Sequence, residues 1–409
     1  MQDRQVFEQL LGIVSPWFVA DVELALEQGD VRVTLEHRAD ATWCCAECGQ
    51  ACPLHDHQEE RRWRHLDTCQ SQTIMSASLP RTKCPTHGVK VVRVPWAERL
   101  SRFTMLFEGV VIAWLREASQ SAVAEQFGLS WDEVHGLMNR AVKRGLARRE
   151  AELIPHLGVD EKSFKKGHTS ATIVNDLDGS RVLYVAKDRE QARLDGFWKT
   201  LTPEQLVGIE GVALDMWEAF ENSIREHVPD AGDKIVYDKF HMVKHLSDGV
   251  DKVRRQEHQQ LRSEGDERLT GTKYDWLRNR ENFDHADWRE FQALKATNLK
   301  TSRAWAIKEQ ALPLWEYQSE TWARKHFQKW YYWATHSRLK PMIEKAKMLK
   351  RRLDNVLTYT QHQITNAVSE GLNSKIQWVK STARGFRNFD NFTTAIYFHC
   401  GKLDLKPCH

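Results

Sequence analysis

The sequence predicts an α/β protein of several domains, and three observations carry this prediction. Six of the eight cysteines lie between Cys44 and Cys84. Short apolar runs typical of strands alternate with helical patterns from Leu157 to Tyr237. The third observation is a charged stretch rich in Trp and Arg, from about Leu246 to Leu357, that is almost wholly helical in pattern. A chain of 409 residues has room for roughly two to four domains.

The composition is typical of a globular chain with a core, because 41% of the residues are hydrophobic and 28% are charged. No stretch approaches the ~18 uninterrupted apolar residues of a membrane helix, and the start lacks the layout of a secretory signal. We therefore expect a cytoplasmic protein with no membrane partner. The net charge of +3 does not by itself indicate a nucleic acid. Local clusters of Lys and Arg are compatible both with DNA and with solvated helix faces.

The first hundred residues combine a helix, a strand and the cysteine-rich segment. Apolar residues from Val6 to Phe18 have helical spacing, and Val31–Leu35 alternates as a strand does. The cysteine-rich segment extends to about Trp96. Helical spacing then resumes over Phe103–Ala147.

Two pairs of residues have the spacing of zinc knuckles. Cys45 and Cys48 form a C-x2-C pair, Cys84 and His87 repeat the spacing, and a glycine follows each pair. Four nitrogen or sulfur ligands suit a tetrahedral structural zinc, which would fold the module rather than catalyse. Buried free thiols are the alternative. Cys44 and Cys52 lie close enough to replace a ligand of the first pair. Cys69, Cys400 and Cys408 are expected to be core or tail thiols.

The segment from Ser119 onward predicts a helix-turn-helix. Gly128 can adopt the left-handed conformation of the turn, and Val134 can pack the second helix on the first. Ser130 is placed as the N-cap of the second helix, with Glu133 as its capping-box partner. An ordinary helical hairpin is the alternative. Because a zinc module precedes it, we favour a helix that reads DNA. The residues expected to contact DNA are Ser130, Trp131, His135, Asn139, Arg140 and Lys143, and Asp132 lies on the same face.

The next segment has the order of a ribonuclease-H-like sheet: three strands, a helix, a strand, a helix and a strand. A turn at Asn175–Ser180 joins the second and third strands. The expected strands are Leu157–Val159, Thr172–Val174, Val182–Ala186, Val212–Leu214 and Lys234–Tyr237, with a helix at Ala192–Leu201. The first and fourth strands are neighbours in such a sheet.

Two carboxylates follow apolar strands that we expect to be neighbours. Asp160 comes directly after Leu157–Val159, and Asp215 comes directly after Val212–Leu214. A carboxylate at the end of a buried strand is costly unless it is paired or binds a metal. Glu370, on an amphipathic helix from about Asn366 to Ser381, is the best candidate for the third carboxylate of a site for two Mg²⁺ ions.

Each of these assignments has a simpler alternative: the aspartates could cap helices, and Glu370 could be a solvated side chain. Three further residues are expected to support the site without forming it. Asp238 ends the strand outside that of Asp215, His241 could contact a proton or phosphate or be merely packed, and Asn373 shares the polar helix face with Glu370. Glu161 should point to the face opposite Asp160.

Four segments, in this order, resemble transposases of the ISL-three family of bacterial insertion sequences. They are Gly-Val-Asp160-Glu-Lys-Ser-Phe with Lys166-Gly-His, then Leu-Asp215-Met-Trp, Tyr-Asp238-Lys-Phe-His and Ser-Glu370-Gly-Leu-Asn-Ser-Lys-Ile. The resemblance covers nearly the whole chain and includes the zinc knuckles and the helix-turn-helix. His87 departs from the commoner form of the second knuckle, which has a fourth cysteine.

The resemblance implies a DDE-type core, carried by Asp160, Asp215 and Glu370, with a helical insertion before the glutamate. With the residues above, it predicts two-metal hydrolysis and strand transfer, with Mg²⁺ or its substitute Mn²⁺ and without a covalent protein intermediate. The expected partners are terminal inverted repeats, target double-stranded DNA and at least a second copy of the chain, at the bacterial nucleoid. Arg384, Arg387 and the helical insertion are expected to contact phosphates.

The expected domains follow the order of these patterns. They are a zinc-binding, DNA-binding module over 1–100, a helix-turn-helix over 101–152, the first part of the ribonuclease-H-like core over 153–248, the helical insertion over 249–362 and the final part of the core over 363–409.

Three other functions compete with this one. A recombinase or relaxase would use a covalent Tyr or Ser, but His55-Asp-His57 lies inside the expected zinc module, and Tyr331 and Tyr332 have no recognisable setting. A DNA-binding regulator with an inactive sheet would bind but not cut. A site-specific nuclease would cut without joining. The sequence leaves open the repeat sequence, the target, the order of strand cuts, and whether the element is excised or copied.

Overall fold

A computed structural model describes residues 3–165, 169–297, 299–364 and 367–407. Lys166-Gly-His168 of the family resemblance, the expected helix start at Asn366 and the thiol of Cys408 lie outside these ranges. The chain divides into two compact units. The first comprises Met1–Arg149, Tyr397–His399 and Leu403–His409, and the second Glu150–Ile396 and Cys400–Lys402. Within the described ranges, no helix combines the length and apolarity needed to cross a membrane.

The first unit begins with a sheet of order β1-β2-β6-β5, in which β7 also pairs with β6. A two-stranded ribbon, β3-β4, carries the first cysteine pair. Three helices follow. The elements are α1 (Asp3–Leu11), β1 (Trp17–Ala25), β2 (Asp30–His37), β3 (Trp43–Cys44), β4 (Ala51–Cys52), β5 (Leu54–Thr68), β6 (Ser71–Cys84), β7 (Gly88–Val91), α2 (Met105–Glu117), α3 (Gln120–Phe127) and α4 (Trp131–Ala147).

The first helix is shorter than its apolar pattern predicts. Gly12 adopts a φ of 65° just after α1, and Trp17, expected within the helix, begins β1 instead. Trp17 and Val19 are buried in the core beneath the sheet, because alternate residues of a strand point to the same face. The apolar residues of this segment therefore serve two elements, and the helix predicted to reach Phe18 was wrong at its end.

A long hairpin, β5 and β6, dominates the first unit. Trp63 and Met75 face each other across the hairpin and are almost completely buried. Cys69, in the turn, has a φ of 55° and is exposed. The prediction that Cys69 is a core or tail thiol was therefore wrong, whereas Cys400 is buried as predicted.

The second unit contains a five-stranded sheet of order β10-β9-β8-β11-β12. β8 pairs in parallel with β11, which pairs in parallel with β12, whereas β9 pairs antiparallel with both β8 and β10. The predicted adjacency of the first and fourth strands is confirmed. The elements are β8 (His156–Lys165), β9 (Thr169–Asp176), β10 (Arg181–Lys187), α5 (Gln191–Trp198), α6 (Pro203–Val207), β11 (Gly211–Leu214), α7 (Glu218–His227), α8 (Ala231–Lys234) and β12 (Ile235–Tyr237).

The chain after β12 is helical, and its described residues form no strand. The helical stretch starts at Lys239, before the predicted Leu246, because α9 follows β12 after a single residue. Its buried side chains, among them Trp276, Trp305 and Phe327, belong to the same core as the sheet. The helices are α9 (Lys239–Ser263), α10 (Lys273–Leu277), α11 (His285–Lys295), α12 (Lys300–Ala311), α13 (Glu320–Thr335), α14 (Lys340–Arg351), α15 (Leu353–Leu357), α16 (Tyr359–His362), α17 (Ala367–Thr382) and α18 (Phe389–Cys400).

Candidate active site and metal-binding cluster

The strand register of the second unit places three aspartates in one row. Val159 on β8 is opposite Leu214 on β11, and Leu214 is opposite Tyr237 on β12. Asp160, Asp215 and Asp238 are the next residues of these three strands. Because the strands are parallel, the three residues lie at the same edge of the paired region. Asp160 does not end its strand as predicted, since β8 continues to Lys165 in its pairing with β9.

The Asp160 carboxylate is largely buried and has two hydrogen-bond donors. The backbone N–H of Glu161 donates to Oδ1 at 2.7 Å, and the side-chain amide of Asn373 donates to Oδ2. Burial raises the pKa of Asp160, and the charge of Asp215 raises it further, against the lowering by the two donors and by His241. Glu161 is exposed and lies 3.3 Å from Arg189.

His241 lies between two of the aspartates. Its Nδ1 is 2.9 Å from Oδ2 of the buried Asp238, and its Nε2 is 3.8 Å from Oδ2 of Asp215. The hydrogen bond to Asp238 raises the pKa of His241, and the charges of Asp215 and Asp160 raise it as well. Asp238 therefore orients the ring, and the ring presents its other nitrogen toward Asp215. We expected both residues to support the site, and that role stays a prediction.

Helix α17 places Asn373, rather than Glu370, against Asp160. Leu372, Ile376 and Val379 bury one face of the helix, and Ser369 is anchored by a 3.1 Å hydrogen bond from Asn175. Glu370 lies one turn before Asn373 and is exposed.

Among the described residues, the carboxylates of Asp160, Asp215 and Glu370 do not all lie within 4.8 Å of one another. The three-residue spacing of Glu370 and Asn373 predicted that the two side chains share a helix face. The spacing alone could not identify which of them contacts Asp160.

The donor set at this edge suits a hard divalent cation. Asp160, Asp215 and Asp238 bring three carboxylates around a single histidine, so negative charge is in excess even when His241 is protonated. Carboxylate oxygens are the ligands that Mg²⁺ and Mn²⁺ prefer. The Asp215 side chain is 43% exposed, and its Oδ1 accepts a hydrogen bond from the backbone N–H of Met216 at 2.7 Å. A ligand can therefore approach this edge from solvent.

The two zinc-type pairs come together in the first unit. Cys45, Cys48, Cys84 and His87 offer ligand atoms that all lie within 4.8 Å of one another. Cys84 Sγ lies 3.6 Å from His87 Nδ1 and 3.8 Å from Cys48 Sγ. The glycine after each pair adopts a positive φ, 72° and 69°, which lets the chain turn tightly around the four side chains.

Two of the three thiols of this cluster lie in surroundings that favour thiolate, whereas the pKa of Cys48 is raised, because burial and the neighbouring thiols outweigh a hydrogen bond from the Gln50 backbone. A hydrogen bond from the His87 backbone lowers the pKa of Cys84 to about 7, and one from the Cys48 backbone lowers the pKa of Cys45. Thiolate is the form that binds zinc. Of the alternative ligands, Cys44 is exposed and Cys52 is buried, with its thiol directed to the carbonyl oxygen of Gln50 at 3.3 Å. Neither belongs to the group of four.

The predicted helix-turn-helix is present as α3 and α4. Gly128 has a φ of 62°, and Ser130 caps α4 in a complete capping box with Glu133. Trp131 is exposed, and its ring stacks on that of His135 with centroids 5.0 Å apart.

The other expected DNA contacts on α4 differ in their surroundings. Lys143 is exposed and Asn139 is half-buried. Arg140 is already engaged, because its guanidinium donates to the buried Glu108 at 2.8 Å. Arg384 and Arg387 are exposed on the segment between α17 and α18.

Family models match three parts of this chain. Residues 157–396 match a family model described as transposase. Residues 92–142 match the helix-turn-helix domain of transposase family ISL3, and residues 41–87 match the zinc-finger of transposase IS204/IS1001/IS1096/IS1165. The matches fall on the sheet with its helices, on α2 to α4 and on the cysteine cluster.

Two relatives match over almost their whole length. The chain is 29% identical to the transposase for insertion sequence element IS1001 of Bordetella parapertussis, over 96% of this chain and 97% of the relative. It is 27% identical to the transposase for insertion sequence element IS1557 of Mycobacterium tuberculosis, over 95% and 93%. The similarity therefore extends over nearly the whole of this chain and of both relatives.

Proposed function

The chain belongs to the ISL3 family of insertion-sequence transposases, and we propose that it cuts DNA at the ends of its element and joins them to target DNA with Asp160, Asp215 and Glu370. The row of aspartates on neighbouring parallel strands is the observation that carries this proposal. A transposase with a DDE domain needs carboxylates that converge on one phosphodiester, and Asp160 and Asp215 lie in register beside each other.

We propose that Asp160 and Asp215 share one Mg²⁺ and that Asp160 and Glu370 hold a second, with Mn²⁺ as a substitute. When bound, the ions would activate water for hydrolysis and stabilise the leaving 3′ oxygen. Asn373 keeps the Asp160 carboxylate oriented toward this edge. Glu370 is placed for this role because it lies one turn from Asn373, which contacts Asp160, on the same helix face.

Strand transfer requires no covalent bond to the protein. In the joining step the freed 3′-hydroxyl takes the place of water as the nucleophile, so the same carboxylates serve both reactions. His241, oriented by Asp238 and directed toward Asp215, can hold a proton or contact the phosphate at this edge.

We further propose a ribonuclease-H-like core, 153–248 and 363–409, interrupted by a helical insertion over 249–362. The strand order β10-β9-β8-β11-β12 supports the ribonuclease-H-like core. The described residues after β12 form no strand, which supports the helical insertion. Modules at 1–100 and 101–152 then precede the core. Structural zinc is proposed at Cys45, Cys48, Cys84 and His87.

DNA recognition is proposed for the first unit. Helix α4 would read the terminal inverted repeats through Trp131, His135 and Asn139, with Ser130, Arg140 and Lys143 at phosphates. Arg384 and Arg387 would contact phosphates near the cut. Because two element ends are joined in one reaction, we propose at least a homodimer on paired ends.

The decisive experiment measures Mg²⁺-dependent cleavage and strand transfer on DNA that carries the two ends of the element. Asp160→Asn, Asp215→Asn and Glu370→Gln are expected to bind the ends and to lose cleavage. Glu161→Gln, adjacent to Asp160 but exposed, is the matched control and should cut normally. Asn373→Ala should retain cleavage but require roughly 10-fold more Mg²⁺ or more, because it orients a ligand.

The other outcomes identify the competing functions. Normal cleavage by the Asp160 or Asp215 variant would overturn the site. Cleavage without joining by the wild type would indicate a nuclease, and binding without cleavage would indicate a regulator. A covalent protein–DNA adduct would indicate a recombinase with a Tyr or Ser nucleophile. Cleavage by Glu370→Gln but not by Asn373→Ala would move the third ligand to position 373.

A further inference from the structure

Helix α13 has an exposed face that carries both aromatic and basic side chains. Trp322, Lys325, Lys329, Tyr332 and His336 follow one another at steps of three and four residues, and all five are exposed. Such steps place side chains on one face of a helix. We call these five residues the aromatic–lysine stripe. It extends about 20 Å along the helix, at 1.5 Å per residue.

Folding does not require these aromatic side chains. The opposite face of α13 packs into the core through Ala323, Phe327, Trp330 and Ala334. Trp322 and Tyr332 remain 61% and 67% exposed, although large aromatic residues are normally buried over most of their surface. A group of exposed aromatics on one face indicates a binding surface.

The charge on this face complements an anionic ligand. Glu320 is the sole acidic residue of α13, and Arg324 holds its carboxylate at 2.7 Å. Lys325 lies over the Trp322 ring at 4.6 Å, and Lys350 of α14 lies over Tyr331 at 5.0 Å. Positive charge therefore accompanies Trp322 within the stripe and Tyr331 beside it.

These features favour nucleic acid over a second protein surface. Lysine is depleted at the centre of protein–protein interfaces. Surfaces that bind single strands instead combine cations for the backbone with aromatic rings on which bases stack. Base pairs in a duplex are already stacked on their neighbours, so the rings can be used only by unpaired bases.

We propose that the aromatic–lysine stripe binds an unpaired DNA strand, with bases stacked on Trp322 and Tyr332 and phosphates at Lys325 and Lys329. This inference rests on the proposed function, because cutting and joining at an element end produce strand ends that are free to unpair. It assigns to α13 a ligand that differs from the duplex read by α4.

The test uses the full zinc-loaded chain and two labelled probes of unrelated sequence, a 20-nucleotide oligo(dT) and a 20-base-pair duplex, in fluorescence anisotropy. Trp322→Ala and Tyr332→Ala should each weaken oligo(dT) binding about 10-fold and leave duplex binding unchanged. Lys325→Ala should reduce the salt dependence of oligo(dT) binding by a slope of about 0.7.

Two controls separate stacking from a general change in the protein. Trp322→Phe keeps a flat ring and should retain most of the oligo(dT) affinity. Tyr274→Ala removes a tyrosine that is 73% exposed on α10 beside Lys273, but is outside the stripe, and should bind as the wild type does.

The inference is overturned if the stripe variants bind oligo(dT) as tightly as the wild type while duplex binding persists. In that case the proposed function stands. It is also overturned if the variants lose both probes equally, or if they change the sedimentation coefficient of the free protein, since the stripe would then be a protein interface. A wild-type chain that binds neither probe would overturn the inference, whereas the proposed function is tested separately by binding and cleavage of the element ends.

Discussion

At the residue scale, the chemistry of the candidate site depends on a few side chains held by hydrogen-bond partners. Asp160 receives donors from Glu161 and Asn373, and His241 is held by Asp238. The sequence predicted Asp215 and Asp238 correctly as residues that follow strands, because an apolar run with a terminal carboxylate is a local pattern, whereas Asp160 lies within β8. It could not predict that Asn373 is the side chain that touches Asp160, since that contact joins residues 213 positions apart.

A buried histidine in the first unit predicts a dependence of stability on pH. His65 is 6% exposed, and its Nδ1 lies 2.8 Å from Thr104 Oγ1. Burial, with the charge of Arg64, lowers the pKa of His65 from 6.5 to about 4. Between these values the unfolded chain binds a proton at this residue and the folded chain does not. Stability is therefore lost as the pH falls from about 6.5 to about 4, by up to roughly 3 kcal/mol.

Urea unfolding at pH 7 and at pH 5 measures this effect. The wild type should lose more stability between the two values than His65→Gln, whose side chain does not titrate. His55→Gln, an exposed histidine of the same strand, is the control and should lose as much as the wild type. Equal losses for the wild type and His65→Gln would show that His65 does not contribute to the pH dependence.

At the element scale, the packing of α2 on α4 depends on a buried carboxylate. Glu108 on α2 is completely buried. It accepts hydrogen bonds from Ser101 and from Arg140 on α4, each at 2.8 Å, and Arg144 lies at 3.8 Å. Arg140 therefore has a structural role in addition to the DNA contact we expected, and the basic appearance of α4 overstates the charge free for phosphates.

Removal of this charge should destabilise the helix-turn-helix. The side chain of Arg144 is only 9% exposed. In Glu108→Gln, this buried guanidinium loses one of its carboxylate partners. The cost of breaking a buried pair in this way is about 3 kcal/mol. Glu117→Gln at the exposed end of the same helix is the matched control and should cost less than about 0.5 kcal/mol.

Chemical denaturation monitored by circular dichroism gives both values. If Glu108→Gln and Glu117→Gln have the same unfolding free energy, the buried pair does not hold α2 and α4 together. Binding of duplex DNA by Glu108→Gln below its unfolding midpoint would further show whether Arg140, once released, strengthens the contact with phosphates.

At the scale of the whole molecule, the chain combines modules that rely on different sources of stability. The second unit has one large apolar core that includes the sheet and the helices after it. Within the first unit, the ribbon β3-β4 instead consists of two short strands beside four ligand side chains. A ribbon this short depends on its metal for folding.

Zinc removal should therefore act on the first unit. We expect the purified chain to contain zinc and Cys84→Ser to lose it. In this variant, trypsin should cleave within residues 41–87, and the thermal midpoint of this segment should be lower by roughly 10 °C or more. Cys69→Ser changes an exposed cysteine outside the cluster and should keep both the metal and the protease resistance. Atomic absorption and mass spectrometry of the fragments measure these outcomes. Unchanged zinc content in Cys84→Ser would exclude this residue as a ligand.

The sequence by itself determined the type and order of most elements. Alternating or helical spacing, turn glycines and capping residues are local signals, so the strands of the second unit, the turn at Gly128 and the Ser130–Glu133 capping box were predictable. The same holds for the zinc-type pairs, because ligand spacing within each pair is a property of a few adjacent residues. Membership of the transposase family also follows from motifs written along the chain.

Only the tertiary structure decided which distant residues meet. The β5–β6 hairpin was missed because its solvent-facing positions are charged and hide the alternation, and only pairing reveals the buried Trp63 and Met75. Likewise, the contact of Asn373 with Asp160, the pairing of Arg140 with Glu108 and the exposed stripe of α13 depend on how elements pack. Local spacing specifies which face a residue occupies on its own element, whereas packing alone determines what that face touches.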